Sequence, residues 1–148
     1  MPTINGLVDK ESRARATEII RAFAAGKVDN DQFEDGYPLR SRDLGVKVVW
    51  WQIWGLYSDL KTERFTPEHP PSAEVRDLLD RCQLFLSTDL PYEWPRLGFW
   101  GTFPFLRTIP LLARVAKSRR ADFAAAGETG AWPFLRHKDL EEARVSRG

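Results

Sequence analysis

The spacing of hydrophobic and polar residues predicts two amphipathic helices most clearly. From Asp9 to Ala25, apolar side chains recur every three or four positions, and Gly26 follows as a C-terminal stop. A second helix is predicted to begin after Ser72, a residue type that caps helix N-termini. Its apolar stripe consists of Val75, Leu78, Leu79, Cys82, Phe85 and Leu86. Both patterns indicate helices that pack one face on a shared core.

Two further helical elements are predicted between these helices. Asp29 or Asn30 is expected to cap a short turn that carries Phe33 inward. The run from Leu44 to Tyr57, after candidate caps at Ser41 or Asp43, is apolar on nearly every side. Its β-branched and aromatic residues also suit a strand, but its length exceeds that of a typical strand and favours a helix.

Proline interrupts the second half of the chain. The segments from Leu90 to Pro95 and from Ala131 to Leu135 are predicted to be extended, because proline disfavours helical geometry at the preceding residue. Helices are expected from Thr108 to about Gly127, and from a cap at Asp139 through Val145. No long linker divides the chain, so we predict one mainly α domain over residues 1–148, with packed helices and proline-punctuated extended segments.

Composition and charge restrict the compartment and the partners. The net charge of +1 gives no overall field that would attract nucleic acid, so no nucleic-acid partner is expected. A single cysteine, Cys82, forms no internal disulfide, which favours a reducing compartment. Residues 1–10 lack a basic region followed by an apolar stretch, which argues against a signal peptide. The predicted localisation is therefore cytoplasmic.

The strongest enzyme hypothesis combines carboxylates with an imidazole. Asp89, Glu93, His137 and Asp139, with Arg96 beside them, could form a general acid/base site if the fold brought them together. The favoured alternative is that Asp89 caps a turn while the other groups are solvated. No complete catalytic motif is present in the sequence.

Metal and cofactor sites are not predicted. The histidines at 69 and 137 lack the close, paired spacing of zinc ligands. The chain has no phosphate-binding glycine loop, and Cys82 lies on an apolar helical stripe, where a thiol usually acts as a small hydrophobic side chain. We therefore expect no metal and no cofactor.

Six tryptophans are the unusual feature of the composition. The favoured interpretation is a large core into which the aromatic side chains pack. The functional alternative is an exposed surface for a protein partner, since Trp and Tyr are enriched at binding hot spots. The candidate partner-binding residues are Trp51, Tyr92, Trp94, Trp100 and Trp132.

A membrane contact is a third hypothesis. The stretch from Leu97 to Ala113 contains two prolines and falls just short of the usual membrane-spanning length. Its aromatic residues could instead enter a membrane interface, with the basic residues at 117, 119 and 120 facing anionic lipid. This hypothesis ranks below protein binding.

Three short motifs carry a resemblance to a known family. The sequences Tyr92-Glu93-Trp94-Pro95 and Trp132-Pro133-Phe134, with Asn30-Asp31-Gln32-Phe33-Glu34 near the start, resemble those of a family of small bacterial proteins. The resemblance covers most of the chain. It implies a bacterial, intracellular protein and transfers no activity and no catalytic residue.

The leading hypothesis from the sequence is a non-catalytic module that binds another protein. A bacterial immunity protein that neutralises a toxin by covering its surface is one specific form of it. The rival hypothesis is an enzyme whose small-molecule substrate lies among the aromatic residues, and a deep aromatic pocket would favour it. The sequence leaves the oligomeric state open.

Overall fold

The computed structural model describes residues 6–60, 64–94, 121 and 124–148, with side chains omitted from the description at 57–60. Five α-helices and a 3₁₀ turn have both ends within these residues, and no strand occurs among them. The helices are α1 (Lys10–Ala24), α2 (Asn30–Gly36), α3 (Leu44–Leu60), α4 (Ala73–Leu86) and α5 (His137–Arg147), and the 3₁₀ turn is Thr129–Ala131. The mainly α fold class is confirmed, and the run after Asp43 is a helix rather than a strand.

Local signals in the sequence fix both ends of α1. Asp9 caps its N-terminus, because the Asp9 carboxylate accepts hydrogen bonds from the Ser12 backbone N–H at 3.1 Å and the Ser12 hydroxyl at 2.6 Å. Gly26 follows the helix with φ of 71°, a conformation that favours glycine. A Cβ at Gly26 would also overlap the Phe65 carbonyl oxygen. The predicted bounds of α1 are therefore confirmed to within one residue.

The caps of α2 and α4 also follow the sequence. Asp29 and Gln32 form a capping box, in which each side chain accepts a hydrogen bond from the other residue's backbone N–H. The Ser72 hydroxyl caps α4 by accepting from the Val75 backbone N–H at 3.2 Å. Both helices therefore begin where the sequence predicts.

The core lies where α1 and α4 pack against each other, with α3 beside them. Of the pairs of described helices, α1 and α4 make the most extensive contact. Helix α3 contributes Val46, Val49 and Ile53, all fully buried. The other buried apolar residues include Ile20, Phe23, Phe33, Leu79, Cys82, Phe85, Phe134 and Leu140. One core thus joins all five described helices.

Predictions for the C-terminal region need correction. Helix α5 begins at His137, so Asp139 lies in its first turn and does not cap it. The predicted extended segment from Ala131 is instead the end of a 3₁₀ turn, followed by a cis peptide bond between Trp132 and Pro133. The predicted helix over 108–127 lies outside the described residues, apart from 121 and 124–127, of which 121 and 124–126 are helical.

Candidate protein-binding site

Asp89 and Glu93 do not form a catalytic group with the structure's other described residues. Asp89 is exposed and pairs with Lys10, whose Nζ lies 3.3 Å from Asp89 Oδ2. Glu93 is exposed. Arg96, the basic residue of the enzyme hypothesis, lies outside the described residues. Asp89 is therefore one partner of an ordinary surface ion pair.

His137 and Asp139 also have surface partners. The His137 Nε2 atom lies 3.6 Å from Glu128 Oε2, and both side chains are more than half exposed. The Arg136 Nε atom donates to Asp139 Oδ2 at 3.1 Å, and this hydrogen bond raises the pKa of Arg136, with a smaller contribution from Glu93. These contacts are ordinary surface ion pairs between residues at the start of the last helix and its neighbours.

Two grooves on the described surface lack the features of an aromatic substrate pocket. One groove of about 500 Å³ lies between α4 and the end of α5, with Asp77, Arg81 and Arg144 in its wall. Another, of about 650 Å³, follows α1 and the end of α4. Neither is lined by an aromatic side chain. Both are therefore unlike the pocket that would favour the enzyme hypothesis.

The described part of the chain contains neither a cluster of metal ligands nor a reactive thiol. No group of three or more His, Cys, Asp or Glu side chains there is placed to hold a metal ion. Cys82 is fully buried, and desolvation raises the pKa of its thiol to about 12. The thiol is therefore protonated at neutral pH and serves as a core side chain, as predicted.

Tyr92 and Trp94 are core residues, which corrects their assignment to an exposed partner surface. Both are buried, and the Trp94 indole N–H is close to the Phe134 carbonyl oxygen, to which it donates at 3.1 Å. The half-buried Trp132 donates its indole N–H to the Tyr92 hydroxyl at 2.9 Å. These two hydrogen bonds connect the segment that contains Tyr92 and Trp94 with the segment that contains Trp132 and Phe134. Trp100 lies outside the described residues.

Trp51 is the one candidate among the described residues whose indole is well exposed. It is 43% exposed, and it belongs to a tryptophan cluster formed by Trp50, Trp51 and Trp54 on α3. The ring centroids of Trp50 and Trp51 are 4.9 Å apart, and those of Trp51 and Trp54 are 6.0 Å apart, both with edge-to-face geometry. Such pairs restrict the orientation of each ring.

Helical geometry explains why this indole faces solvent. Val46, Val49 and Ile53 define the buried face of α3. With 3.6 residues per turn, position 51 falls nearly opposite that face, while positions 50 and 54 flank it. Trp50 and Trp54 are accordingly half-buried and packed against the core. The buried side of the cluster thus supports an exposed indole on the outer side.

Two further features distinguish the surroundings of the tryptophan cluster. The Trp50 indole N–H is buried and has no hydrogen-bond acceptor among the described residues. A buried donor without an acceptor costs about 1–3 kcal/mol. One turn beyond Trp51, a Cβ added to Gly55 would meet no described atom within 4 Å. The helix surface at Gly55 therefore has room for a side chain.

Neither a membrane-spanning helix nor a known relative suggests a further function for the described residues. Within the described residues, no helix is long and apolar enough to cross a membrane. Comparisons of the chain with family models, curated proteins and solved structures find no match. The resemblance to small bacterial proteins therefore stays a prediction.

Proposed function

We propose that the protein is a non-catalytic module that binds another protein, with Trp51 as the anchor of the interface. The exposure of this indole within a packed aromatic cluster carries the proposal. Trp is among the residues most enriched at binding hot spots, where it fills a pocket on the partner. A free protein that exposes such a side chain gains apolar burial when a partner covers it.

The Trp51 ring is already held in a restricted orientation before a partner binds, which favours binding at the cluster. Association costs free energy when flexible side chains become ordered at the interface. The two edge-to-face neighbours of Trp51 already limit its ring orientation in the free protein. Less side-chain entropy is therefore lost on binding than for an isolated surface tryptophan.

The immunity-protein hypothesis is a specific form of this proposal. It requires that the partner be a toxin and that the complex abolish its activity. An inhibitor of this kind needs a stable, preorganised surface and no catalytic group, which agrees with the tryptophan cluster and with the surface pairing of Asp89, His137 and Asp139. The test is inhibition of the partner in a stoichiometric complex.

Site-specific photocrosslinking tests the proposal. A photoreactive phenylalanine analogue replaces Gln52, an exposed neighbour of Trp51, in one full-length variant, so that the indole itself stays in place. It replaces Leu90 in a control variant, because Leu90 is 40% exposed, close to the exposure of Trp51. Both variants are irradiated in a lysate of the source cell. We expect a discrete protein adduct at position 52 that is absent at position 90. Equal labelling at both positions, or no adduct at 52, would contradict the proposal.

A further inference from the structure

Charges are unbalanced along the first turns of α3 and the segment that precedes it. Among residues 37–56 the sole acidic side chain is Asp43, which is fully buried. Arg40, Arg42 and Lys47 are exposed, and none makes an ion pair with a described residue. Since the Asp43 carboxylate is paired with a buried arginine, it does not neutralise them. This surface therefore carries three uncompensated positive charges.

Capping geometry places Arg42 beside Lys47, which lies one helical turn before the exposed indole. Asp43 is the N-cap of α3, because its carboxylate accepts from the Gly45 N–H at 2.9 Å and its carbonyl oxygen accepts from the Lys47 N–H. The residue before an N-cap lies beside the fourth residue after it, so Arg42 is a neighbour of Lys47. Lys47 in turn lies one helical turn before Trp51. We call Arg42, Lys47 and Trp51 the α3 strip.

We infer that the partner presents an acidic surface to the α3 strip, with carboxylates about one helical turn from the pocket that receives the Trp51 indole. This inference rests on the proposed function and specifies the partner's chemistry. Complementary charges at the rim of an interface steer association and exclude wrongly charged partners. The indole would supply apolar burial, and the two cations would fix the orientation of the complex.

The size and shape of the strip favour a protein over other acidic partners. Juxtamembrane basic clusters that bind anionic lipid usually contain four to eight cations, more than are found here. Nucleic-acid binding relies on neutralising many phosphates and needs a larger basic face. A single anchored indole with two cations on its N-terminal side matches the anatomy of a protein interface, which has an aromatic centre and a charged rim.

Selection from random peptides tests the inference while the natural partner is still unidentified. A phage library of random dodecapeptides is selected on the full-length protein, after removal of phage that bind the Trp51→Ala variant. We expect the recovered peptides to combine an apolar or aromatic residue with several Asp or Glu residues. Recovery of neutral or basic peptides would overturn the inference while leaving the proposed function intact. Failure to enrich any peptide over the Trp51→Ala background would contradict the proposed function itself.

A charge-reversal pair then tests the location of the acidic contact. The Arg42→Glu/Lys47→Glu variant is compared with Lys27→Glu/Arg76→Glu, a control with the same change in net charge at exposed, unpaired cations elsewhere. With a recovered acidic peptide, we expect the first variant to bind about 30-fold more weakly, or worse, and the control within about 3-fold of wild type. Unchanged thermal unfolding of both variants separates this effect from a loss of folding.

Three outcomes would overturn the inference. The first is binding by Arg42→Glu/Lys47→Glu within about 3-fold of wild type, which would place the acidic contact elsewhere. The second is equal weakening by both double variants, which would indicate a non-specific effect of net charge. The third is tighter binding to vesicles of phosphatidylserine and phosphatidylcholine, or to a short DNA duplex, than to the acidic peptides, together with loss of that binding in Arg42→Glu/Lys47→Glu. In that case the strip would be a lipid-binding or DNA-binding surface rather than a protein-binding one.

Discussion

Arg13 and Asp43 form a buried, bidentate ion pair that joins α1 to the start of α3. The Arg13 Nε atom donates to Asp43 Oδ2 at 2.6 Å and its Nη2 atom donates to Oδ1 at 3.2 Å. Both side chains are 1% exposed. The third guanidinium nitrogen donates to the Thr88 carbonyl oxygen at 2.8 Å, and the guanidinium lies over the Phe85 ring. The pair therefore sets the position of the helix that carries the α3 strip.

Loss of one partner from this pair should be severely destabilising. Asp43→Ala leaves the buried Arg13 guanidinium without its counter-charge and removes the cap of α3, so we expect the free energy of unfolding to fall by about 3–5 kcal/mol. Urea denaturation followed by circular dichroism measures the change. The matched control is Asp89→Ala, which breaks the exposed pair with Lys10 and should cost less than about 1 kcal/mol. Equal effects of the two substitutions would show that the buried pair does not stabilise the fold.

Alkaline pH should unfold the protein partly through Cys82. Burial raises the pKa of this thiol from 9.0 to about 12, so the unfolded chain loses a proton at a pH where the folded chain keeps it. Stability is therefore fully present below pH 9 and falls as the pH rises from 9 toward 12. The slope from this group is about 1.4 kcal/mol per pH unit above 9.

Comparison with Cys82→Ala isolates this contribution. Tyr92 has its pKa raised to about 12 by desolvation and adds a similar loss at higher pH, above its ordinary value of 10.0. The variant should be less stable at pH 7 but should show a shallower fall between pH 9 and pH 10, measured by urea denaturation at each pH. Identical slopes for wild type and variant over this interval would contradict the assignment.

Two glycines of α3 should respond oppositely to alanine. A Cβ at Gly55 meets no atom within 4 Å, so Gly55→Ala should stabilise the protein by about 0.5–1 kcal/mol through the higher helix propensity of alanine. A Cβ at Gly45 would lie 2.9 Å from the Phe85 ring and 3.1 Å from Asp43 Oδ1. Gly45→Ala should therefore destabilise the protein by about 1–3 kcal/mol. Thermal unfolding measures both, and changes of the same sign would refute this packing.

Leu79 tests the core between α1 and α4. This side chain is fully buried on the stripe of α4 that the sequence predicts. Leu79→Ala should reduce the free energy of unfolding by about 2–5 kcal/mol, because it removes buried methyl groups and leaves a cavity. Leu90→Ala, at an exposed position outside the helices, is the control and should cost less than about 0.5 kcal/mol. A loss below about 1 kcal/mol for Leu79→Ala would mean that this face is not core.

Local signals make several elements predictable from the sequence. The spacing around Leu79 and the cap at Ser72 depend on residues within a few positions, so α4 is correctly placed. The Arg13–Asp43 pair could not be foreseen, because an arginine on an amphipathic helix resembles a solvated charge and its partner lies 30 positions away. The hydrogen bond between Trp132 and Tyr92 could not be predicted either, because these residues are 40 positions apart in the sequence.

The exposure of Trp51 is predictable only in part. Once the run is assigned as a helix, the buried face through Val46, Val49 and Ile53 places position 51 outward. The all-round apolar pattern conceals which face is buried, because Trp50 and Trp54 flank the same core. In the proline-punctuated segments the sequence misleads in the opposite direction, because it suggests a surface position for a residue that is buried. Their irregular pattern favours a surface position for Tyr92, yet this residue packs against Phe85 with an edge-to-face ring contact.

The affinity of the full-length protein for the partner crosslinked at position 52 tests the central claim most directly. Isothermal titration calorimetry should give a Kd for Trp51→Ala at least about 30-fold above that of wild type, the loss expected of a hot-spot residue. Leu90→Ala, which truncates a side chain of similar exposure, should stay within about 3-fold. Equal Kd values for wild type and Trp51→Ala would contradict the claim that the tryptophan cluster is a protein-binding site.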